Sequence, residues 1–267
     1  MIDLLKVNKA VVKDIREESK DVKTLILEPQ KSVDFKPGQF ILISKLGVGE
    51  SPFAISSDPV ISSTFEVSVQ RMGKNTSSIH ELGRGEEIEF RGPYGNYFPI
   101  EQWKGKAITV IGGGIGMAPL RSLLYGLIHH QHDFKRIELL YGIRSFDKIL
   151  YKDVINSWKD KISVQMICEQ PSDSDMRVGL ITNLIKEMHF DPEEHIVVIC
   201  GPHKMIEACI HESMKKGIES RQIYVSLEMK MKCGVGICGR CNIDHRYICK
   251  EGPVFQLEEV KDMFISV

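Results

Sequence analysis

Four cysteines toward the end of the chain, Cys233, Cys238, Cys241 and Cys249, stand in the order C-x4-C-x2-C-x7-C. Three closely spaced thiolates with a fourth returning from further along form the ligand spacing of a plant-type [2Fe–2S] centre, whose chemistry is one-electron transfer. Four thiolates also make structural zinc sites, typically as two C-x2-C pairs set well apart. Only one such pair exists here, Cys238 and Cys241, and the first gap contains Gly234 and Gly236. Glycine suits a chain that must bend tightly and turn backbone N–H groups toward inorganic sulfide. The spacing therefore favours the cluster, with zinc as the alternative and a disulfide framework behind both.

A second chemistry-bearing stretch is residues 107–124, AITVIGGGIGMAPLRSLL: an apolar β-prone run, a glycine cluster, then apolar residues at helical spacing. A strand, turn and helix of this kind brings Gly114, Ile115 and Gly116 to where backbone approaches a pyrophosphate. Pro119 replaces the last glycine of the usual dinucleotide fingerprint, which a first helical turn accepts. Taken alone, the segment also reads as a tight turn with no ligand.

The surrounding elements decide between these readings. Strands are expected at residues 136–141, 162–167 and 195–200, with helices near 150–158, 180–188 and 203–216. Their alternation with the strand before the glycine cluster implies a Rossmann-like parallel α/β sheet, with its ligand crevice at the carboxyl ends of the strands. Residues 112–119, 142–144 and 200–202 fall on that edge. The first hundred residues differ: strands at 22–27, 40–44, 65–70 and 87–91, turns at Pro37-Gly38 and Gly92-Pro93, and one short helix at 77–82. An antiparallel Greek-key β-barrel is the economical reading, giving domains at 1–103 and 104–225 and a small C-terminal cysteine subdomain at 226–267.

Composition sets limits. The 267 residues are 42% hydrophobic with a formal net charge of −1, ordinary for a globular protein and without the basic footprint of a nucleic-acid binder. No apolar run of about 18 residues or secretory signal is visible, so no membrane span is expected and the cysteines are expected to work in a reducing cytoplasm. His129, His130 and His132 read as a polar helix end, and Met229 and Met231 as packing near the cysteines.

The stretches GESPFAISS (49–57), RGPYGNYFP (91–99), GGGIGMAPLRSLL, CGP (200–202), MKCGVGICGRCNI and CKEGPVF (249–255) resemble, in order, the ferredoxin–NADP reductase superfamily. More closely, they resemble its NAD(P)H-linked electron-transfer subunits with FAD and a C-terminal [2Fe–2S] cluster. That branch includes the gamma subunit of cytoplasmic sulfhydrogenases, the corresponding subunit of anaerobic sulfite reductase and the electron-transfer subunit of dihydroorotate dehydrogenase B.

The resemblance implies that the barrel binds FAD. The R-x-Y-S flavin motif falls on Ser51, Pro52, Phe53 and Ala54, so the pyrophosphate arginine is Ser51, the flavin-packing tyrosine is Phe53 and the serine near flavin N5 is Ala54. Ile55 and Ser56 continue that strand; Val69, Gln70, Arg71, Gly73, Lys74, Asn75, Thr76 and Ser77 match the flavin-phosphate region, where Arg71 or Lys74 stands in for the missing cation. A backbone N–H of Ala54 or Ser56 replaces the lost hydroxyl. For the nicotinamide, Gly114, Ile115, Gly116 and Pro119 hold the pyrophosphate, while Cys200, Gly201 and Pro202 approach the hydride-transfer locus. Arg144 and Asp147 point in opposite directions, toward NADPH and NADH respectively.

The mechanism so implied is hydride transfer from NAD(P)H to FAD, then one-electron steps into [2Fe–2S]. Nothing offers a second substrate site, which implies a larger redox catalytic subunit carrying its own metal or flavin centre. Lys230, Lys232, Arg240, His245, Arg246 and Lys250 form a basic collar that suits an acidic partner or simply solubilises the cysteine loop. A different class, a redox-sensing binding module, lacks a need for an intact hydride-transfer site.

Overall fold

Alternating buried and outward side chains make the front of the chain a set of strands. The computed structural model describes residues 2–171, 175–243 and 245–264. Its strands are β1 (Asn8–Ser19), β2 (Val22–Pro29), β3 (Phe40–Lys45), β4 (Gly49–Ala54), β5 (Phe65–Gln70), β6 (Glu87–Tyr94), β7 (Ala107–Gly113), β8 (Arg136–Ile143), β9 (Ser163–Cys168), β10 (His195–Cys200), β11 (Ile223–Ser226), β12 (Asn242–Ile243), β13 (Arg246–Tyr247) and β14 (Val254–Gln256). The helices are α1 (Lys74–His80), α2 (Met117–His129), α3 (Lys152–Trp158), α4 (Ile181–Glu187), α5 (His203–Lys215) and α6 (Ile248–Glu251). The chain forms two compact units: Met1–Phe98 with Arg121–Tyr125 and Leu227–Val254, and Pro99–Leu120 with Gly126–Ser226 and Phe255–Val267.

In the first unit six strands run in the order β4-β3-β6-β1-β2-β5, and their pairs are antiparallel. Just past β4, Ile55 bridges Val67 of β5, which joins the two ends of that order and closes the sheet into a barrel. Inside, Leu25, Leu27, Ile41, Ile43, Ile55 and Val67 are at most 1% exposed, around an edge-to-face pair of Phe65 and Phe90 with centroids 5.2 Å apart. Two barrel strands exceed the four expected. β1 carries so many charges that it does not read as a strand, and β4 contains Pro52, which an antiparallel strand accepts at its edge. The helix expected at 77–82 begins earlier, because the Thr76 hydroxyl accepts the N–H groups of Met72 at 2.8 Å and Gly73 at 2.9 Å and so organises the first turn.

In the second unit the order is β14-β11-β10-β7-β8-β9, and β7 through β11 pair in parallel. The anticipated α/β alternation is present, with β11 and β14 added at one side. Chain order reverses at β7: β8 and β9 lie to one side, β10 and β11 to the other. This makes the carboxyl ends of β7 and β10 the switch point at which α/β sheets bind ligands. No helix among the described residues is long and apolar enough to cross a membrane.

Candidate functional site

The cysteine segment belongs to the barrel's unit. None of its four cysteines is in a disulfide; Cys241 and Cys249 are each 2% exposed, Cys233 is half-buried and Cys238 is exposed. The thiols associate as two pairs, Cys233 with Cys238 and Cys241 with Cys249. Among the described residues no group of three His, Cys, Asp or Glu side chains is arranged to hold a single ion. Two hydrogen-bonded thiol pairs close enough for Cys249 to feel Cys233 suit a dinuclear cluster, one pair for each iron.

The backbone between the first two cysteines is turned inward. Val235, Ile237 and Cys238 donate their N–H groups to the sulfur of Cys233 at 3.4, 3.3 and 3.4 Å, and Gly236 donates to Cys249 at 3.1 Å. Donors aimed at sulfur stabilise negative charge there. Burial alone raises the Cys233 thiol, but those three N–H groups and the Cys238 thiol outweigh it and pull Cys233 down to about 6. Cys249 is pushed up to about 12 by burial and then by its Cys241 neighbour. The paired thiols and the four inward N–H groups fit an iron–sulfur cluster, and bound iron would hold Cys249 as the thiolate that burial alone disfavours.

The flavin-motif residues lie on β4, where Ser51, Pro52, Phe53 and Ala54 are all half-exposed. Phe53 packs against the barrel core yet stays half-exposed, so part of an aromatic ring is accessible on β4. Ile55 and Val69 send their side chains into the core, which leaves only their backbone for a ligand. Ser56 is wholly buried and gives both its N–H (2.8 Å) and its hydroxyl (3.2 Å) to the Glu66 carbonyl, so it has no donor left for flavin N5. Gln70 is tied to Asp21 at 3.1 Å.

Across from Ser51, Asn75 on α1 donates Nδ2 to the Ser51 hydroxyl at 2.7 Å, while its buried Oδ1 meets no partner. An amide turned over would let Oδ1 accept from Ser51 and present Nδ2 to an anionic oxygen. This orphaned amide, beside a half-exposed aromatic strand, fits a flavin phosphate. Gly73 and Ser77 are linked through the first turn of α1 at 2.8 Å; Arg71 and Lys74 are exposed, with Arg71 Nη2 3.4 Å from His80 Nδ1.

At the switch point of the second unit, Cys200 is registered against Gly112. A Cβ on Gly116 would stand 2.6 Å from the carbonyl carbon and oxygen of Cys200 and from the nitrogen of Gly201. Glycine is therefore required there to let the two loops meet, independent of any ligand. Gly114 and Ile115 are half-buried, Pro119 lies within the first turn of α2, Cys200 is 1% exposed, Gly201 is half-buried and Pro202 is exposed. Beyond β8, Arg144 is exposed and the Ser145 hydroxyl donates to Asp147 at 2.6 Å.

Three residues at this site were not singled out from sequence: Glu50, Arg91 and Asn96, whose side chains bond to one another or to the cysteine segment. Arg91 and Asn96 lie in the RGPYGN run and Glu50 just before the flavin motif, stretches that carry no thiol and no phosphate-binding pattern at these positions.

Two family descriptions match the chain: the oxidoreductase NAD-binding domain over residues 110–211, and the iron-sulfur cluster binding domain of dihydroorotate dehydrogenase B over residues 228–261. Sulfhydrogenase 2 subunit gamma of Pyrococcus furiosus is 36% identical, covering 90% of this chain and 89% of its own. A probable dihydroorotate dehydrogenase B (NAD(+)) electron transfer subunit of Methanocaldococcus jannaschii is 35% identical, covering 94% of this chain and 90% of its own. In fold, a solved NADH-dependent reduced ferredoxin-NADP oxidoreductase superposes with a TM-score of 0.77 at 23% identity, over 94% of this chain and 88% of that one. The chain belongs to the family of oxidoreductase electron-transfer subunits that contains the sulfhydrogenase gamma subunits and the electron-transfer subunits of dihydroorotate dehydrogenase B.

Proposed function

We propose that this chain is an NAD(P)H-dependent flavin oxidoreductase that delivers electrons one at a time, through a [2Fe–2S] cluster, to a larger subunit carrying its own metal or flavin centre. The observation that carries this is the pairing of four thiols under four inward N–H groups, in the same compact unit as the half-exposed strand β4. Bound FAD would supply the conversion between the two-electron chemistry of a nicotinamide and the one-electron chemistry of a cluster. The chain's own residues position the groups and need supply no general acid or base. Phe53 offers an aromatic face, Asn75 and Thr76 lie in the phosphate turn, and the loops at Gly114 and Cys200 meet where a dinucleotide enters. Cys241 and Cys249 are buried while Cys238 is exposed beside Ile237, 63% exposed, so one edge of the cluster site faces outward. Lys232, Arg240 and Lys250 are exposed around it and suit an acidic partner.

Anaerobic mixing of the FAD- and iron–sulfide-reconstituted protein with NADH, and separately with NADPH, tests the reading. The expected result is flavin bleaching, then an EPR signal from the reduced cluster, then turnover of a one-electron dye. Absence of bleaching with both nucleotides overturns it, and binding of a partner that depends on redox state without dye turnover supports a sensing module instead. Isolating the native complex identifies the acceptor: nickel, sirohaem or FMN in the large subunit corresponds to hydrogenase, sulfite reductase or dihydroorotate dehydrogenase chemistry.

The missing pyrophosphate arginine gives a further expected outcome. Arg71→Ala or Lys74→Ala weakens FAD retention about three- to tenfold, in proportion to the loss of one charge-assisted contact, and more at low than at high salt. Equilibrium dialysis against FAD at two salt concentrations measures it. Unchanged retention in both variants excludes these two cations.

A further inference from the structure

Residues 91–96 (RGPYGN) run off the end of the barrel strand β6, and two of their side chains, Arg91 and Asn96, bond to the cysteine segment. The Arg91 side chain is 11% exposed. Its Nε donates to Glu50 Oε1 at 2.8 Å and its Nη2 to Glu50 Oε2, while Nη1 donates to the Cys233 carbonyl and Nη2 to the Lys232 carbonyl, each at 3.0 Å. Four of the five guanidinium donors are thus committed, two to the carboxylate and two to the backbone at the first cysteine. Glu50 is itself oriented by the Ser44 hydroxyl at 3.1 Å and immediately precedes Ser51, the first residue of the flavin motif.

The far end of the segment is held by Asn96. Its Nδ2 donates to the carbonyls of Glu251 at 2.7 Å and Val254 at 2.6 Å, its Oδ1 accepts the N–H of Val254 at 2.9 Å, and its own N–H donates to Gly252 at 2.6 Å. Between the two anchors the Tyr94 ring lies so close that a Cβ on Gly234 would be 2.7 Å from it. One strand end therefore grips the chain just before Cys233 and just after Cys249.

We infer that Arg91, with Glu50 as its brace, and Asn96 are positioning residues for electron transfer, fixing the cluster-bearing segment to the strands that carry the flavin motif. The inference rests on the proposed function. Tunnelling rates fall exponentially with distance, so a cluster held only by its own loop would sample slow geometries. Two anchors, Arg91 on β6 and Asn96 just past its end, make the separation a property of the barrel. Arginine is needed because a lysine ammonium cannot bind a carboxylate bidentately and two carbonyls at once.

Arg91→Lys and Asn96→Ala, in the full chain reconstituted with FAD and cluster and matched for flavin and acid-labile sulfide, test this by stopped flow after NADH mixing. Flavin bleaching is expected within about twofold of wild type, while cluster reduction slows about tenfold or more and the cluster EPR signal broadens. Wild-type cluster reduction in both variants overturns the inference. Should a variant fail to retain cluster, amide exchange of its metal-free form reads the anchor directly: faster exchange confined to residues 232–254 supports it, and unchanged exchange there overturns it. Wild-type protein that NADH does not bleach defeats the functional reading instead, and the exchange experiment still judges the anchors.

Discussion

Replacing Cys249 by serine abolishes the visible absorption and EPR signal of the cluster and lowers electron delivery to a one-electron dye more than about a hundredfold, while NAD(P)H still bleaches the flavin. Serine nearly matches the cysteine in size and leaves the Gly236 N–H an oxygen to bond, so the loop has little reason to collapse. Its hydroxyl does not ionise near neutral pH and is a poor ligand for a site built of soft thiolates. No other cysteine can take over: Cys168, Cys200 and Cys209, at most 1% exposed, are packed into the other unit. Acid-labile sulfide and flavin, assayed on the same sample, give the measurement. Full sulfide content in the variant would mean that the fourth ligand is not Cys249.

The flavin half separates from the cluster half in that experiment, as it did in the sequence. Ligand spacing and the glycine cluster are local patterns of a few residues, and both were legible. The parallel sheet was legible too, since β7, β8 and β10 are apolar runs ended by glycine. Strand β1 was not. It carries Lys9, Lys13, Asp14, Arg16, Glu17 and Glu18, and irregularities at Val12/Asp14 and Glu17/Ser19 interrupt the alternation that would have marked it. Arg91 was illegible for another reason: the carbonyl it binds lies 142 residues away, and no periodicity encodes a bond over that separation. Ser56 shows the converse limit. Its place beside the flavin motif suggested a donor, but the Glu66 carbonyl across the strand had already taken both of its hydrogens.

Gly116→Val raises the KM for NAD(P)H by roughly tenfold or more, about 1.4 kcal/mol of lost binding, with flavin and cluster content unchanged. The new Cβ would be placed 2.6 Å from three backbone atoms of Cys200 and Gly201. Backbone cannot swing aside as the tip of a long side chain can, so the loops after β7 and β10 must part. Those loops are the two walls of the switch-point crevice, and β7 and β10 are paired along their length up to Gly112 and Cys200. Displacement should therefore be felt at the ligand end before it is felt in the sheet. Steady-state dye reduction against nucleotide concentration measures the effect, and dithionite bleaching of the same sample verifies that the flavin remains reducible. An equal loss in kcat and kcat/KM would place Gly116 at the reacting centre, whereas unchanged kcat and KM together would show that nucleotide is held elsewhere. The larger effect on KM than on kcat follows from the proposed place of Gly116 in the phosphate-holding loop, while any fall in kcat reports the Cys200 loop, which we propose lies near the transferred hydride.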